Sequence, residues 1–328
     1  MQLYFILFFL IAAIYLAPFD RRLSFFISSL YLISLPFFLR FGPVQVDMLV
    51  YTGINNLSFS DLFELYYLRE GLFWFSLNII SSLIPPPFSL IILDYIILFL
   101  FYQNFKILKL PIYFLIPITI FFPFFLGFEN IYRSLFAAVV FTYILLRFYN
   151  QGFLKKLLLS LIPILIHNSS IIFMPLLFFS NTRANSLLKI TSLFVAGLSS
   201  FFFIFYFQNY TEYSDIQLTV GADYSGYYVF LILMITLFFL LSQILFNYER
   251  PILSFGIYCL IISFNSTYLP SVLSERVSLF SLMILTPFIL VIISKIKHSP
   301  SRIMSYFIVS FMLALPTIFN PSTLNFLL

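Results

Sequence analysis

Long apolar runs, separated by short polar breaks, follow one another along almost the whole chain. A helix needs about 20 apolar residues to cross the hydrocarbon core of a bilayer. These runs predict ten membrane-spanning helices, near residues 2–18, 23–39, 88–102, 110–128, 134–149, 190–207, 227–246, 252–264, 277–294 and 303–319. We therefore expect an all-α, polytopic integral membrane protein of about 10–12 spans, forming one domain over residues 1–328.

Two further apolar stretches are too short or too interrupted to span. The first is 71–84, which ends at three consecutive prolines, and the second is the pair 154–166 and 169–180 on either side of His167. We predict short re-entrant or interfacial helices here, facing the periplasm. Because non-helical backbone is tolerated at membrane depth only where it lines a protein-walled cavity, functional side chains are expected at these breaks.

Composition removes several classes of function. Only 9% of the 328 residues are charged, and the basic residues are scattered in short loops, so no nucleic-acid surface is expected. One cysteine, Cys259, cannot form an internal disulfide, and His167 and His298, predicted on opposite sides of the membrane, cannot build a zinc site. Neither GxGxxG nor GxxxxGK[ST] occurs, so we expect no dinucleotide-binding or ATP-binding loop. We expect no metal and no cofactor. Membrane lipid is an expected partner.

The positive-inside rule orients the predicted spans. Most lysines and arginines fall on one side, which is then the cytoplasm. Four arginines fall on the other side together with most of the acidic residues: Arg40, Arg69, Arg133 and Arg276. Because this rule normally keeps cations inside, each outward arginine calls for a specific reason, and the chemistry is expected at the outer face.

Arg133 and Arg276 are the leading candidates for catalysis. Glu129 lies one helical turn before Arg133, so a local ion pair is one explanation of that arginine. Glu275 adjoins Arg276, but neighbouring residues on a helix do not face each other, so local pairing is weaker there. Two planar, permanently charged guanidinium groups that converge at the membrane surface would bind a diphosphate in bidentate fashion.

His167 and Asn168 form a polar cluster between two short helices, each containing a proline, Pro163 or Pro175. One reading is an interfacial histidine that only bonds a neighbouring carbonyl. The other is function, since polar groups clustered in an apolar hairpin mark candidate sites in membrane proteins. His167 would then act as a general base or, when protonated, as a third phosphate ligand.

The outer loops offer weaker candidates. Residues 40–70 carry most of the predicted substrate-binding side chains, although much of that charge could be ordinary solvated surface: Arg40, Asp47, Tyr51, Arg69 and Glu70. The loop 208–226 is rich in tyrosine and acids, which suits either an interfacial aromatic belt or a sugar-binding groove. Asp94, placed inside the bilayer, is expected to bond a neighbouring helix.

These residues resemble the EpsG-like branch of bacterial polysaccharide polymerases, including O-antigen polymerases of the Wzy type. The resemblance spans most of the chain and lies in the order and spacing of five segments: Val46-Asp47-Met-Leu-Val-Tyr51, Arg69-Glu70-Gly-Leu-Phe73, Arg133-Ser-Leu-Phe-Ala137, Ile-His167-Asn-Ser-Ser170 and Glu275-Arg276-Val-Ser-Leu-Phe280.

The resemblance implies a multi-pass protein of the bacterial inner membrane whose active face is periplasmic. Such a polymerase transfers a glycan from a polyprenyl diphosphate onto a lipid-linked repeat unit, with no metal and no nucleotide, and a chain-length regulator protein is an expected partner. Arg133 and Arg276 would grip the diphosphate, His167 would serve as acid or base, and Asp47 or Glu70 would position or deprotonate the acceptor. A lipid-linked oligosaccharide flippase, a polytopic acyltransferase and a purely structural membrane subunit remain alternatives.

Overall fold

The computed structural model describes residues 8–9, 11–12, 21–41, 46–56, 61–129, 131–148, 151–179, 197–198, 224–246, 250–268 and 271–319. All regular secondary structure in these ranges is helical, which confirms the all-α prediction.

The first half of the chain contains long helices joined by short ones. Its α-helices are α1 (Arg21–Arg40), α2 (Val46–Thr52), α3 (Leu65–Leu68), α4 (Gly71–Leu83), α5 (Phe88–Ile107), α6 (Leu115–Ile120), α7 (Phe122–Glu129), α8 (Tyr132–Arg147) and α9 (Phe153–Ile166). Single 3₁₀ turns cover Gly53–Asn56, Asp61–Phe63, Ile112–Phe114 and Asn168–Phe173.

The remaining helices are α10 (Pro175–Phe179), α11 (Ser225–Phe246), α12 (Arg250–Ser266), α13 (Ser271–Ser294) and α14 (Ser299–Phe319). Helices α11, α12 and α13 pack against one another, and α8 packs against α5, α9 and α13. Buried side chains from both halves of the chain join in one hydrophobic core. Helix α13 runs through the centre of this core, since nearly all of its residues between Leu273 and Ser294 are buried.

Four described helices are long and apolar enough to cross a membrane, in agreement with a polytopic membrane protein: Arg22–Arg40, Phe88–Ile107, Ser225–Ile244 and Leu273–Ser294. A fifth span is obtained if α7 and α8, bent by 120° at their junction, are counted as one. The predicted spans 2–18 and 190–207 lie almost wholly outside the described residues. Helices α12 and α14 cover the predicted spans 252–264 and 303–319.

The single span predicted over 110–128 is wrong as a continuous helix. This stretch is divided into a 3₁₀ turn, α6 and α7. Pro111, Pro117 and Pro123 explain the division, because proline lacks the backbone N–H that a helix interior needs. The two short helical stretches predicted near 71–84 and around His167 are present as α4 and as α9 with its following 3₁₀ turn.

Candidate functional site

Three residues that are far apart in the sequence meet at one carboxylate. Glu70 immediately precedes α4, Arg133 is the second residue of α8, and His167 directly follows α9. Nδ1 of His167 lies 2.5 Å from Oε1 of Glu70, and Nη1 of Arg133 donates to Oε2 of the same residue. The Glu70 side chain makes no capping bond to its own helix. Glu70 therefore joins Arg133 and His167, two of the three residues that the sequence places in catalytic roles.

The helix break at His167 makes this meeting possible. The carbonyl of Pro163 accepts the His167 N–H at 2.9 Å and the Ser170 hydroxyl at 2.7 Å, which closes the end of α9. His167 itself has extended backbone, with φ −155° and ψ 122°. The N–H of Asn168 then points to Oε1 of Glu70 at 3.3 Å. The predicted polar cluster thus serves to present His167 to Glu70.

Glu70 is buried, with 5% of its surface exposed, yet it carries a charge. Burial alone raises the pKa of a carboxyl, but the interactions with His167, the charge of Arg133 and the Asn168 N–H lower the pKa of Glu70 to about 2. A carboxylate with so low a pKa is a poor base at neutral pH. Of the two predicted roles of Glu70, deprotonation of the acceptor is therefore not favoured.

His167 is neutral in this environment. Burial lowers the pKa of the imidazole below its ordinary value of 6.5; the Glu70 hydrogen bond and charge raise it, and the charges of Arg133 and Arg276 lower it further. A neutral imidazole beside an ionised carboxylate donates Nδ1–H, which assigns the tautomer. Nε2 then keeps its lone pair. Among the described residues, this buried nitrogen has no hydrogen-bond partner.

Arg276 is the second cation whose charge acts on the histidine. It is the sixth residue of α13, half-buried, and its charge acts on His167. Within the described part of the chain, no hydrogen bond or ion pair holds its guanidinium. The neighbouring Glu275 accepts the backbone N–H of Tyr224 at 3.0 Å and so is directed towards the start of α11. The site therefore combines a neutral base with a cation.

No family model, curated protein or solved structure matches this chain. Within the described residues, no group of three or more histidine, cysteine, aspartate or glutamate side chains could hold a metal ion.

Arg133 has an ion-pair partner that its local sequence spacing did not indicate. This partner is Glu70, 63 residues earlier in the chain. The local pair with Glu129 stays a prediction, because the Glu129 side chain lies outside the described residues. Trp74, the only tryptophan, lies one turn after Glu70 and places its ring 5.3 Å from the Arg133 guanidinium carbon. This cation–π contact was missed, although the spacing of four residues from Glu70 is a signal that both side chains share one helix face.

The other predicted substrate-binding residues are distributed around this site. Tyr51 is buried, and its ring packs on Phe73, Trp74 and Tyr132, so it forms a wall of the site. Arg69 is exposed. The Asp47 side chain lies outside the described residues.

Arg40 is placed differently from the substrate-binding position predicted for it. Its side chain is only 3% exposed and pairs with Asp94. Asp94 bonds a neighbouring helix, as the sequence predicted.

Proposed function

We propose that this protein is a polysaccharide polymerase that transfers a glycan from a polyprenyl diphosphate onto a lipid-linked repeat unit. The observation that carries the proposal is the buried Nε2 of His167, which has no hydrogen-bond partner among the described residues. Glu70 orients the imidazole, and the charges of Arg133 and Arg276 act on it. A base next to a cation suits a reaction in which a hydroxyl attacks and an anion departs.

The proposed reaction is a glycosyl transfer. Nε2 of His167 accepts the proton of the acceptor hydroxyl while its oxygen forms a bond to the anomeric carbon of the donor glycan. The bond between that carbon and the diphosphate oxygen breaks, and the polyprenyl diphosphate leaves with the electron pair. Glu70 remains ionised and stabilises the imidazolium. The proton then passes to water, which regenerates the neutral histidine.

Arg276 is the best candidate for contact with the leaving diphosphate. A guanidinium can donate two parallel hydrogen bonds to phosphate oxygens, and nothing in the described structure occupies this one. Arg133 already donates to Glu70, so its first role is to hold the carboxylate that orients His167. Its second role is to add positive charge to the site. This division refines the symmetrical clamp expected from the sequence.

The distribution of basic residues supports a site at the periplasmic face of the inner membrane. Helix α8 carries Arg133 at its start and Arg147 at its end, whereas α9 begins near Lys155 and ends beside His167. Lys295 follows the end of α13 opposite Arg276. The site thus lies at helix ends remote from these basic residues, which by the positive-inside rule is the outer end.

This orientation can be tested with single cysteines in a Cys259→Ser background. Tyr268 lies between α12 and α13 at the site end, and Ser301 lies near the start of α14 at the other end; both are exposed. A membrane-impermeant maleimide should label Tyr268→Cys from outside and spare Ser301→Cys. The reverse pattern would place the site in the cytoplasm and refute the proposed periplasmic orientation.

The decisive experiment uses the purified protein in liposomes with purified lipid-linked repeat units and no nucleotide. Polymer longer than one unit should form, and His167→Asn should abolish it while the exposed His298→Asn does not. In cells that lack the protein, the surface glycan should shrink from a ladder to single units.

The same experiments separate the competing functions. Accumulation of lipid-linked units on the cytoplasmic leaflet would favour a flippase. A persistent ladder that lacks one ester group would favour the acyltransferase. One observation also supports an acyltransferase: the Nε2 base of His167 suits acyl transfer to a hydroxyl as well as it suits glycosyl transfer.

A further inference from the structure

A second buried ion pair lies next to the candidate site. Arg40, the last residue of α1, donates through Nε to Oδ2 of Asp94 and through Nη2 to Oδ1, both at 2.6 Å. This is a bidentate pair between α1 and α5, and the two side chains are 3% and 0% exposed. Because neither side chain reaches the surface, the pair is not placed to bind a substrate.

The same guanidinium also holds both sides of the bend between α7 and α8. Nη1 of Arg40 donates to the carbonyl oxygen of Phe128 at 3.0 Å, and the guanidinium carbon lies 5.0 Å from the centre of the Tyr132 ring. Phe128 is the penultimate residue of α7 and Tyr132 is the first residue of α8. Arg40 therefore contacts the chain immediately before and after its 120° turn.

Arg133 follows Tyr132 directly, so the direction in which α8 starts decides where the Arg133 guanidinium lies. A bend of this size in a mainly apolar segment can be accommodated by several packings of similar energy. A buried ion pair is a weak source of net stability, because desolvation of both charges offsets their attraction. Its fixed geometry, with every hydrogen bond in a defined direction, selects one packing among the others.

We propose that the buried Arg40–Asp94 pair is a positioning device that fixes the α7–α8 bend and thereby places the Arg133 guanidinium on Glu70. Arg40 and Asp94 are positioning residues: they act on the site through the backbone of Phe128 and the ring of Tyr132. The expected effect of the Arg40–Asp94 pair on reaction rate rests on the proposed function, whereas its expected effect on the position of Arg133 does not.

The test observes His167 directly, without any activity. The chain has only two histidines, so histidine labelled with ¹⁵N in the detergent-solubilised full-length protein gives two imidazole titrations. Arg133→Ala provides the reference: loss of a positive charge beside His167 should raise its pKa. Arg40→Lys keeps the charge at position 40 but loses the fork that reaches Asp94 and Phe128 together. It should raise the pKa of His167 in the same direction, by at least half of the reference shift.

Tyr31→Phe is the matched control. Tyr31 also lies in α1, is fully buried, and forms a hydrogen bond of 2.7 Å with Thr119, away from the bend. This variant should lower the thermal midpoint and leave the titration of His167 unchanged.

Two results would overturn the inference. One is an unchanged His167 titration in Arg40→Lys while Arg133→Ala shifts it; the other is a Tyr31→Phe shift as large as that of Arg40→Lys. If Arg40→Lys does not fold, Asp94→Glu, which keeps the charge but lengthens the arm by one methylene, is titrated in its place and judged by the same criteria. If the pKa of His167 shifts in the variants as expected but the wild-type protein forms no polymer, the proposed function is refuted and this inference remains intact.

Discussion

Replacement of Glu70 by glutamine tests whether the carboxylate selects the histidine tautomer on which the proposed reaction depends. The two side chains have nearly the same shape, so packing around α4 is preserved. Arg133 can only donate, so the amide oxygen of the variant should face Arg133 and retain that bond. The amide NH₂ then faces Nδ1 of His167 and the N–H of Asn168.

The tautomer must change as a result. An NH₂ group opposite Nδ1 makes that nitrogen an acceptor, which moves the imidazole proton to Nε2 and removes the lone pair that takes the acceptor proton. In the serine protease triad, the equivalent amide substitution lowers kcat about 10⁴-fold. We expect a loss of similar size in Glu70→Gln, roughly 5.5 kcal/mol in activation free energy.

The pH dependence supplies a second, independent reading. In the wild type, kcat/KM should fall as the pH drops through the lowered pKa of His167, because the protonated imidazole cannot accept a proton. Glu70 raises that pKa, so its neutralisation should move the acid limb to lower pH in whatever activity remains.

The assay is nucleotide-free polymerisation in liposomes across pH 5–8, a range of about three units centred on the ordinary histidine value. Glu64→Gln, an exposed carboxylate in the same part of the chain, is the control and should behave as wild type. Activity of Glu70→Gln within tenfold of wild type, or an acid limb displaced upward, would refute the reasoning.

Two further substitutions probe the anion site and the bend. Arg276→Ala should lower kcat/KM by about 30-fold to several thousand-fold, as expected when roughly 2–5 kcal/mol of charge compensation is lost; Arg276→Lys should be intermediate, and Ala at the exposed Arg69 silent. An Arg276→Lys variant with full activity would contradict the bidentate contact. Gly127→Ala should destabilise the protein by about 1–3 kcal/mol, since its Cβ would lie 2.8 Å from that of Leu135. A thermal melt tests this against Gly226→Ala, where an added Cβ meets no other side chain within 4 Å among the described residues and little change is expected.

The apolar pattern was enough to predict helical structure, and several helix bounds differ from it by only a few residues. Predicted spans 88–102 and 227–246 correspond to α5 and α11. The prediction of one continuous helix over 110–128 was wrong because it rested on total hydrophobicity, whereas the three prolines of this stretch interrupt the helix. Length and apolarity report whether a segment prefers lipid, whereas proline spacing decides whether it is one helix.

The candidate site was predicted as a set of residues but not as a set of contacts. Glu129 stands at ideal local spacing from Arg133, so sequence alone favoured that pair. The partner observed, Glu70, is set by how α4 packs beside α8 and α9, which no local rule encodes. For Asp94 the sequence held a usable signal, since an acid inside a membrane span requires a partner. Arg40 directly follows the predicted span 23–39, but it was predicted to bind substrate and was not connected with Asp94.

Two buried ion pairs balance four of the charges among the described residues. Arg40 pairs with Asp94, and Arg133 pairs with Glu70. The Arg276 guanidinium has no ion pair within the described part of the chain. A half-buried cation is incompletely hydrated, and an arriving diphosphate would compensate it, so anion binding would be favoured by relief of that desolvation. Burial lowers the pKa of His167, and the same positive charges that would attract the leaving group lower it further, so the neutral base is favoured. One arrangement of charge thus serves both halves of the proposed transfer.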